Sequence, residues 1–308
     1  MIIPYFGKFP EWMDLYLYTV GRNTGIDFHY FTDCELNTPP LEFTSNIFFH
    51  RTTFQEYRNL VFEKTGIHLP NNPMKLCDLK PFYGIIHKEM LLSNDYEWWG
   101  FGDIDLVYGN LSPIVRLSQT NKYDVITTHI KCIAGHFTLI RTKSAITKIA
   151  LEIPNIKRLV EDKESLWVDE YYFSEYIRPR NLRIIDKLWY RIGEKMGFDR
   201  NKFYFALKNI FPHKHYMWDP CTTFTPIKNE KYVLNLQTLQ WTIGKGLFPK
   251  GIKPSNDMPY LHFLLFKEKS YNKSGYHWGN NFWGIPNDYK WQGTEVVEIS
   301  SDGIRILD

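Results

Sequence analysis

The strongest constraint on the fold is the alternation of strand-like and helix-like segments over residues 1–150. Short apolar or β-rich runs predict strands at residues 1–5, 27–33, 45–51, 124–129 and 136–141. Apolar residues at helical spacing predict helices at 11–20, 54–65 and 82–92, the second of them ending at Gly66. Because strand, helix and strand in succession favour parallel pairing, we expect an α/β fold with a mostly parallel sheet flanked by helices.

The stretch 97–109, EWWGFGDIDLVYG, places two carboxylates at the end of an apolar segment that reads as a buried strand. On extended backbone Asp103 and Asp105 point to the same face, so both can bind one hard divalent cation, and such a cation can hold a diphosphate. A solvated turn is the alternative, because chance alone gives about one Asp-x-Asp match in a chain with this aspartate content. The apolar context favours the metal site, since charges beside a buried segment are costly to desolvate unless they are paired or metal-bound.

The composition is that of a globular protein large enough for one elaborated domain or two packed lobes. The chain has 308 residues, of which 44% are hydrophobic, and its 37 basic and 34 acidic residues leave a formal charge of +3. This balance gives no electrostatic support for nucleic-acid binding. Aromatic residues make up 17% of the chain, and their flat rings suit sugar faces as well as cores.

The cysteines and the N-terminal residues bear on the compartment. The four cysteines lie far apart and form no Cys-x-x-Cys pair, so neither a zinc site nor a disulfide framework is indicated. Residues 1–5 are not a basic leader followed by a long apolar segment, and no run approaches the ~18 apolar residues of a membrane span. We therefore expect a cytoplasmic protein without a membrane-spanning segment.

Beyond residue 150 the character of the chain changes. Residues 167–173 predict the start of a short helix, residues 232–236 and 239–243 a hairpin, and residues 295–300 and 303–307 a closing hairpin. A second apolar run that carries polar groups lies at residues 260–267. The segment 178–216 contains ten basic and three acidic residues, with apolar residues near helical spacing. It is either a packed helical pair with a solvated basic face or a surface for the anionic cytoplasmic leaflet, where a lipid-linked acceptor would be met.

Two linked motifs are Lys75-x-x-Asp78-x-Lys80-Pro81 and Trp99-Gly100-x-x-Asp103-Ile104-Asp105-Leu106-x-x-Gly109. Together with Ile3-Pro4-Tyr5, Thr32-Asp33, His262 and Lys267, they make the chain resemble the GT-A glycosyltransferases. More narrowly, the chain resembles a bacterial family of polysaccharide glycosyltransferases that belong with capsule and lipopolysaccharide gene products. The resemblance implies a GT-A-like, Rossmann-like sheet in which residues 1–150 bind the donor. Residues 151–308 would form the acceptor-side and closing part of the same domain.

The resemblance also implies a role for individual residues. Nucleotide or donor contacts would come from Ile3, Tyr5, Gly7, Asp33, Asp78, Lys80, Asp103 and Gly135, with Asp33 on the base and Lys80 on the ribose or phosphates. The metal ligands would be Asp103, Asp105 and His262. The catalytic set would be His136, which follows Gly135 in the turn that faces the donor sugar, Asp169 and Glu170 beside the reacting carbon, and Lys267 on the leaving diphosphate. The commoner His-x-Gly-x-x-Lys loop has Leu264 in place of its glycine here.

Each of these roles has a structural alternative. Asp33 is also suited to capping a turn, Lys80 to a solvated surface, and Asp169 with Glu170 to the N-terminus of a helix. His136 and His262 are also consistent with buried core histidines.

The implied activity is transfer of a hexose, galactose or glucose, from its UDP form to a growing surface glycan, with Mn²⁺ or Mg²⁺ as cofactor and with retention favoured. A nucleotidyltransferase that makes nucleotide sugars is one alternative, but it is expected to carry a glycine-rich phosphate loop near the N-terminus, and residues 4–8 are not such a loop. A non-catalytic carbohydrate-binding protein is another. It would leave a convergence of Asp103, Asp105 and His262 on one ion unexplained.

Overall fold

The computed structural model describes residues 1–35, 45–121, 123–128, 132–177, 215–217, 238–242, 245–251, 258–264, 278, 281–286, 288–300 and 302–307. The strands, in chain order, are β1 (Ile2–Pro4), β2 (Phe28–Thr32), β3 (Ile47–Arg51), β4 (Trp98–Gly102), β5 (Leu106–Tyr108), β6 (Val125–Thr127), β7 (Phe137–Arg141), β8 (His215–Met217), β9 (Leu239–Thr242), β10 (Gly246–Pro249), β11 (Tyr260–His262), β12 (Val296–Ser300) and β13 (Gly303–Leu307).

The helices are α1 (Met13–Gly21), α2 (Phe54–Thr65), α3 (Leu76–Leu79), α4 (Tyr83–Ile86), α5 (Lys88–Ser93), α6 (Ser112–Ser118), α7 (Ile146–Ile149), α8 (Ile156–Glu161) and α9 (Ser174–Ile177). Three 3-10 helices span Pro73–Lys75, Lys80–Phe82 and Ala150–Glu152, and a π-helix spans Val168–Phe173.

A seven-stranded sheet in the order β3-β2-β1-β4-β7-β6-β8 organises the chain. The four strands from β3 to β4 are parallel, whereas β7 runs antiparallel to both β4 and β6. Both faces of the sheet are covered, with Ile2 and Ile3 of β1 buried in two different core clusters, as the apolar run at residues 1–5 requires. The predicted α/β class with a mostly parallel sheet is confirmed.

Local signals at the ends of α2 fix that helix. Thr53 and Glu56 form a reciprocal capping box at its start, and Gly66 ends it with φ 67°, a left-handed conformation that favours glycine. The predicted helix at residues 54–65 is therefore confirmed at both ends.

The prediction of a single helix over residues 82–92 is wrong, because the helix is interrupted at His87, between α4 and α5. The break has a tertiary cause. The ring of Trp99 packs so closely on Gly84 that a Cβ there would lie 2.3 Å from a ring carbon, and the His87 ring pairs with the Tyr57 hydroxyl at 3.0 Å. The first contact fixes the turn to β4 of the sheet and the second fixes it to α2, so the chain does not follow one continuous helix axis.

Two smaller sheets complete the described fold. One is the antiparallel pair β5 and β11, and the other is antiparallel in the order β10-β9-β12-β13, so the closing hairpin is confirmed. Its core includes Trp241, Val297 and Ile304 and packs against Leu15 and Tyr18 of α1. The predicted strand at residues 239–243 is β9, which pairs with β10 and β12. Its proposed hairpin partner, residues 232–236, lies outside the described residues.

Within the part of the chain that the structure describes, no helix combines the length and the apolar content that a membrane span needs. Of the basic segment 178–216, only residues 215–216 are described, at the start of β8, and Lys267 also lies outside the described residues.

Candidate active site

The carboxyl ends of β1, β2 and β4 meet at one edge of the central sheet, because these strands are parallel neighbours. Tyr5 follows β1 and its N–H donates to the Phe31 carbonyl at 2.9 Å. Gly7, with φ 104°, donates its N–H to the Asp33 carboxylate at 2.8 Å. Tyr5, Gly7 and Asp33 are therefore brought together as expected, whereas the Ile3 side chain is buried in the core beneath them.

Asp103 and Asp105 lie in a bend between β4 and β5, not on extended backbone. Ile104 between them is buried in the core, so both carboxylates emerge on one side of the bend. The pairing of β5 with β11 sets Leu106 opposite His262, and Phe263 donates its N–H to the Asp105 carbonyl at 3.1 Å. One oxygen of Asp105 lies 3.4 Å from Nε2 of His262.

Ligand atoms of Asp103, Asp105 and His262 all lie within 4.8 Å of one another. An ion with bonds of about 2.0–2.3 Å can bind two donor atoms that are up to about 4.6 Å apart. The observed separation is slightly larger, so a small side-chain rotation would bring all three donor atoms onto one ion. Two carboxylates with one imidazole suit a cation of the Mn²⁺ or Mg²⁺ type. The residues present fit the divalent cation that the GT-A resemblance implies.

Lys80 connects Asp103, one of the candidate metal ligands, to Asp169 of a second acidic pair. Its Nζ lies 2.6 Å from an oxygen of Asp103 and 3.7 Å from an oxygen of Asp169, and its side chain is almost fully buried. Burial lowers the pKa of Lys80, but Asp103, the Cys77 thiol and Asp169 raise it by more, so the pKa lies well above its ordinary value. Lys80 is therefore a permanent cation at this edge.

The turn before β7 closes the site from the other side. Gly135 donates its N–H to the Glu170 carboxylate at 3.3 Å. His136 accepts the Asp103 N–H through its carbonyl at 3.2 Å, and its ring stacks on that of His262 with centroids 4.3 Å apart. His136 thus contacts two of the candidate metal ligands, Asp103 and His262.

Gly135→Ala is expected to lower the turnover of the glycosyl transfer that the resemblance implies by about a hundredfold. The added methyl group would displace the neighbouring carboxylates by a few tenths of an ångström, and catalysis is sensitive to such misalignment. A Cβ at this position would lie 2.6 Å from Oδ2 of Asp169 and 3.1 Å from Oε1 of Glu170. Steady-state kinetics compared with Gly25→Ala, whose Cβ would meet a Val115 methyl at 3.2 Å, is the measurement. Equal activity of both alanine variants would mean that the acidic pair does not face the reaction.

Asp78 supports the site from below instead of lining it. Its side chain has no exposed surface, pairs with Lys75 Nζ at 2.6 Å and accepts the N–H groups of Leu166 and Val168 at 3.0 and 2.9 Å. Lys75 also donates to the Glu164 carbonyl at 2.7 Å. The pair therefore ties α3 to the chain that enters the π-helix carrying Asp169. Lys75 stands in one of the two sequence motifs but has no role predicted from them, although its i, i+3 spacing from Asp78 signals such a pair.

Asp169 is buried beside Lys80 and Glu170. Burial raises its pKa, Lys80 opposes the rise, and Glu170 and Asp103 add to it, which leaves the pKa at about 7 against an ordinary 3.8. A carboxyl group with this pKa can take up or release a proton near neutral pH, which suits it for general acid–base catalysis.

The raised pKa of Asp169 predicts a pH dependence of stability. Between about pH 4 and pH 7 the folded state keeps a proton on Asp169 that the unfolded state releases, so the contribution of this group to the free energy of unfolding falls as pH rises through this window. Asp169→Asn removes this contribution and, in metal-free buffer at pH 8, is expected to be more stable than wild type by on the order of 2–4 kcal/mol. Urea unfolding of both proteins from pH 4 to pH 8 tests this. Parallel pH profiles would contradict it.

Three solved structures of glycosyltransferases show a partial likeness to this chain. Galactosyltransferase LgtC in complex with donor and acceptor sugar analogs is 13% identical over 55% of this chain and 69% of that chain, with a TM-score of 0.31. An active-site mutant of LgtC is 12% identical over 56% and 71%, with a TM-score of 0.30. Mouse xyloside xylosyltransferase 1, in its apo form, is 8% identical over 72% and 86%, with a TM-score of 0.33. Scores of this size indicate limited overlap of the folds, so function is inferred from the site itself.

No curated protein sequence matches this chain. A family model described as "Family of unknown function (DUF6625)" matches residues 1–292, a span that includes every residue of the candidate site. The protein is therefore a member of the DUF6625 family.

Proposed function

We propose that the protein is a metal-dependent glycosyltransferase that moves a hexose from a nucleotide sugar to a glycan acceptor. The observation that carries the proposal is the convergence of Asp103, Asp105 and His262 at the sheet edge where Lys80 and Asp169 also meet. Among its described residues this cluster has four carboxylates, counting Glu170, and a single ammonium group, that of Lys80. Such an excess of negative charge favours a bound cation, and a cation there favours a diphosphate.

Departure of a nucleoside diphosphate builds negative charge on its oxygens. A divalent cation held by Asp103, Asp105 and His262 would supply electrostatic stabilisation of that charge. Lys80 would add a second positive charge, donating from its buried Nζ to a phosphate oxygen once the Asp103 carboxylate is engaged elsewhere.

Asp169 and Glu170 would face the sugar carbon that develops positive charge. Gly135 leaves room there, because any side chain would collide with both carboxylates. This placement supports retention of the anomeric configuration as part of the proposal. NMR analysis of the product anomer checks it, and an inverted linkage would overturn it.

Asp33 supports a choice of base. Its carboxylate is oriented by the Gly7 N–H and can accept a ring N–H, which uracil and guanine offer and cytosine lacks. Tyr5, stacked on Phe9 with centroids 5.5 Å apart, adds an aromatic surface at the same strand end. We take UDP as the nucleotide, with galactose or glucose as the sugar.

A thermal-shift screen tests the proposal. UDP, GDP, CMP, nucleoside triphosphates with sugar phosphates, and glycans are each added with Mn²⁺ or with chelator, and a shift that needs both UDP and Mn²⁺ is expected. A shift with nucleoside triphosphates together with sugar phosphates, but not with UDP, would indicate a nucleotidyltransferase. A shift with glycans alone would indicate a carbohydrate-binding protein.

The acceptor side is also a proposal. Residues 1–150 would bind the donor and residues 151–308 would close over the acceptor, with the basic segment 178–216 on the anionic cytoplasmic leaflet near a lipid-linked glycan of the capsule or lipopolysaccharide type. Its formal charge of +7 supports this, at about 1 kcal/mol for each surface lysine or arginine. Co-sedimentation with anionic and neutral liposomes tests it, using a variant with Arg191, Lys195, Lys202 and Lys208 changed to Gln. Equal sedimentation in all conditions would remove the membrane from the proposal.

A further inference from the structure

Two exposed aromatic side chains flank the acidic pair. Trp167 immediately precedes the π-helix and is 56% exposed, and Tyr171 within it is 62% exposed. Tyr171 donates its N–H to the Trp167 carbonyl at 2.9 Å, which fixes the two residues one turn apart. Both side chains therefore project from the same short segment that presents Asp169 and Glu170.

Trp167 has a backbone conformation that a bulky residue rarely adopts, with φ 54° and ψ 48°. The strain is held from both sides by one carboxylate, because Asp78 accepts the N–H of Leu166 and the N–H of Val168. Asp78 is in turn neutralised by the buried Lys75. Thus a buried ion pair secures a turn in which the backbone of Trp167 is strained and its indole ring is exposed to solvent.

Stability does not explain this arrangement. An indole left more than half exposed gains little from burial, and glycine would adopt the same φ without a Cβ penalty. Strained residues held by their surroundings occur where function needs the side chain in a fixed place. Here the fixed side chain lies beside the site, because two peptide units place the Trp167 Cα within about 7 Å of the Asp169 Cα.

We propose that Trp167, with Tyr171, is the stacking platform for a pyranose ring of the glycan acceptor. The C–H-rich face of a hexose packs on an aromatic ring while its hydroxyl groups remain free to donate to carboxylates such as Glu170. The inference rests on the proposed function and specifies where the acceptor sugar lies relative to Asp169. A platform of two rings next to carboxylates suits one sugar ring better than the broad apolar patch that a protein partner requires.

Binding of wild type and variants to an array of hexose-terminated oligosaccharides, in the presence of UDP and Mn²⁺, tests the platform. Trp167→Gly removes the ring and relieves the strain, so glycan affinity should fall about tenfold or more while the midpoint of thermal unfolding stays within about 3 °C. Trp167→Phe keeps an aromatic face and should retain most of the binding. Phe62→Ala, which removes a 47% exposed ring from α2, should bind as wild type does.

The outcomes separate the platform from the proposed function. Binding of UDP to the wild-type protein in Mn²⁺ tests the donor site separately. If UDP does not bind, the proposed function is wrong. If UDP binds and Trp167→Gly binds glycans as wild type does, or wild type binds none, the platform is wrong. It is also wrong if Trp167→Gly and Trp167→Phe lose glycan binding only together with a large drop in unfolding temperature, because Trp167 would then be structural.

Discussion

Asp105→Asn and Asp103→Asn are each expected to lower the rate of the proposed hexose transfer by about a thousandfold or more, which corresponds to loss of roughly 4 kcal/mol of leaving-group stabilisation. Asparagine keeps the shape and hydrogen-bonding capacity of the side chain but removes the charge that a hard cation requires. Both variants should fold, because the Asp105 carbonyl, not its carboxylate, accepts the Phe263 N–H, and because Lys80, the partner of Asp103, still has the Asp169 carboxylate 3.7 Å away. Turnover and Mn²⁺ affinity, measured together, should fall in parallel.

Asp95→Asn is the matched control for these variants. Asp95 is exposed in the turn before β4, at the opposite end of that strand from Asp103, and its φ of 52° is one that asparagine tolerates. It should transfer hexose and bind Mn²⁺ as wild type does. Near wild-type transfer by Asp105→Asn in the presence of chelator would show that the assigned metal ligands are wrong.

Lys75→Met is expected to lower the free energy of unfolding by about 3–5 kcal/mol, because it leaves the Asp78 charge buried without its partner. Both side chains of this pair have 0% exposure. The double variant Lys75→Met/Asp78→Asn should recover part of the loss, since an amide oxygen still accepts the N–H groups of Leu166 and Val168 without a buried charge.

Lys64→Met provides the comparison for Lys75→Met in urea unfolding. Lys64 pairs with Glu63 and Glu89, whose side chains are largely exposed, so its loss should change stability far less. Similar stabilities of the two single variants would mean that the buried pair does not hold the π-helix in place.

Signals that lie within a single helix or strand made several elements of the first half of the chain predictable. Thr53, Glu56 and Gly66 are signals that act within one helix, and α2 has the predicted bounds. The direction of β7 could not be read from its apolar residues, because a strand buried on both faces has the same pattern in either direction. The break at His87 depends on Trp99, which lies on a different element of the fold.

The residues of the candidate site likewise divide into those that the sequence could predict and those that depend on tertiary contacts. Asp103 and Asp105 stand out in the sequence by their apolar context, but His262 reaches them only through the pairing of β11 with β5, across more than 150 residues. The left-handed conformation of Trp167 had no sequence signal, since a tryptophan does not favour it and the Asp78 contacts that impose it are tertiary. The spacing of Lys75 and Asp78 was visible, whereas their complete burial was not.

Diffraction at the manganese absorption edge, from crystals grown with Mn²⁺ and UDP, tests whether Asp103, Asp105 and His262 hold a cation that binds UDP. We expect one anomalous peak about 2 Å from a carboxylate oxygen of Asp105 and from a ring nitrogen of His262, with Asp103 and the UDP diphosphate on the same ion. UDP bound at another edge of the sheet, or bound here with no ion between Asp105 and the phosphates, would contradict it.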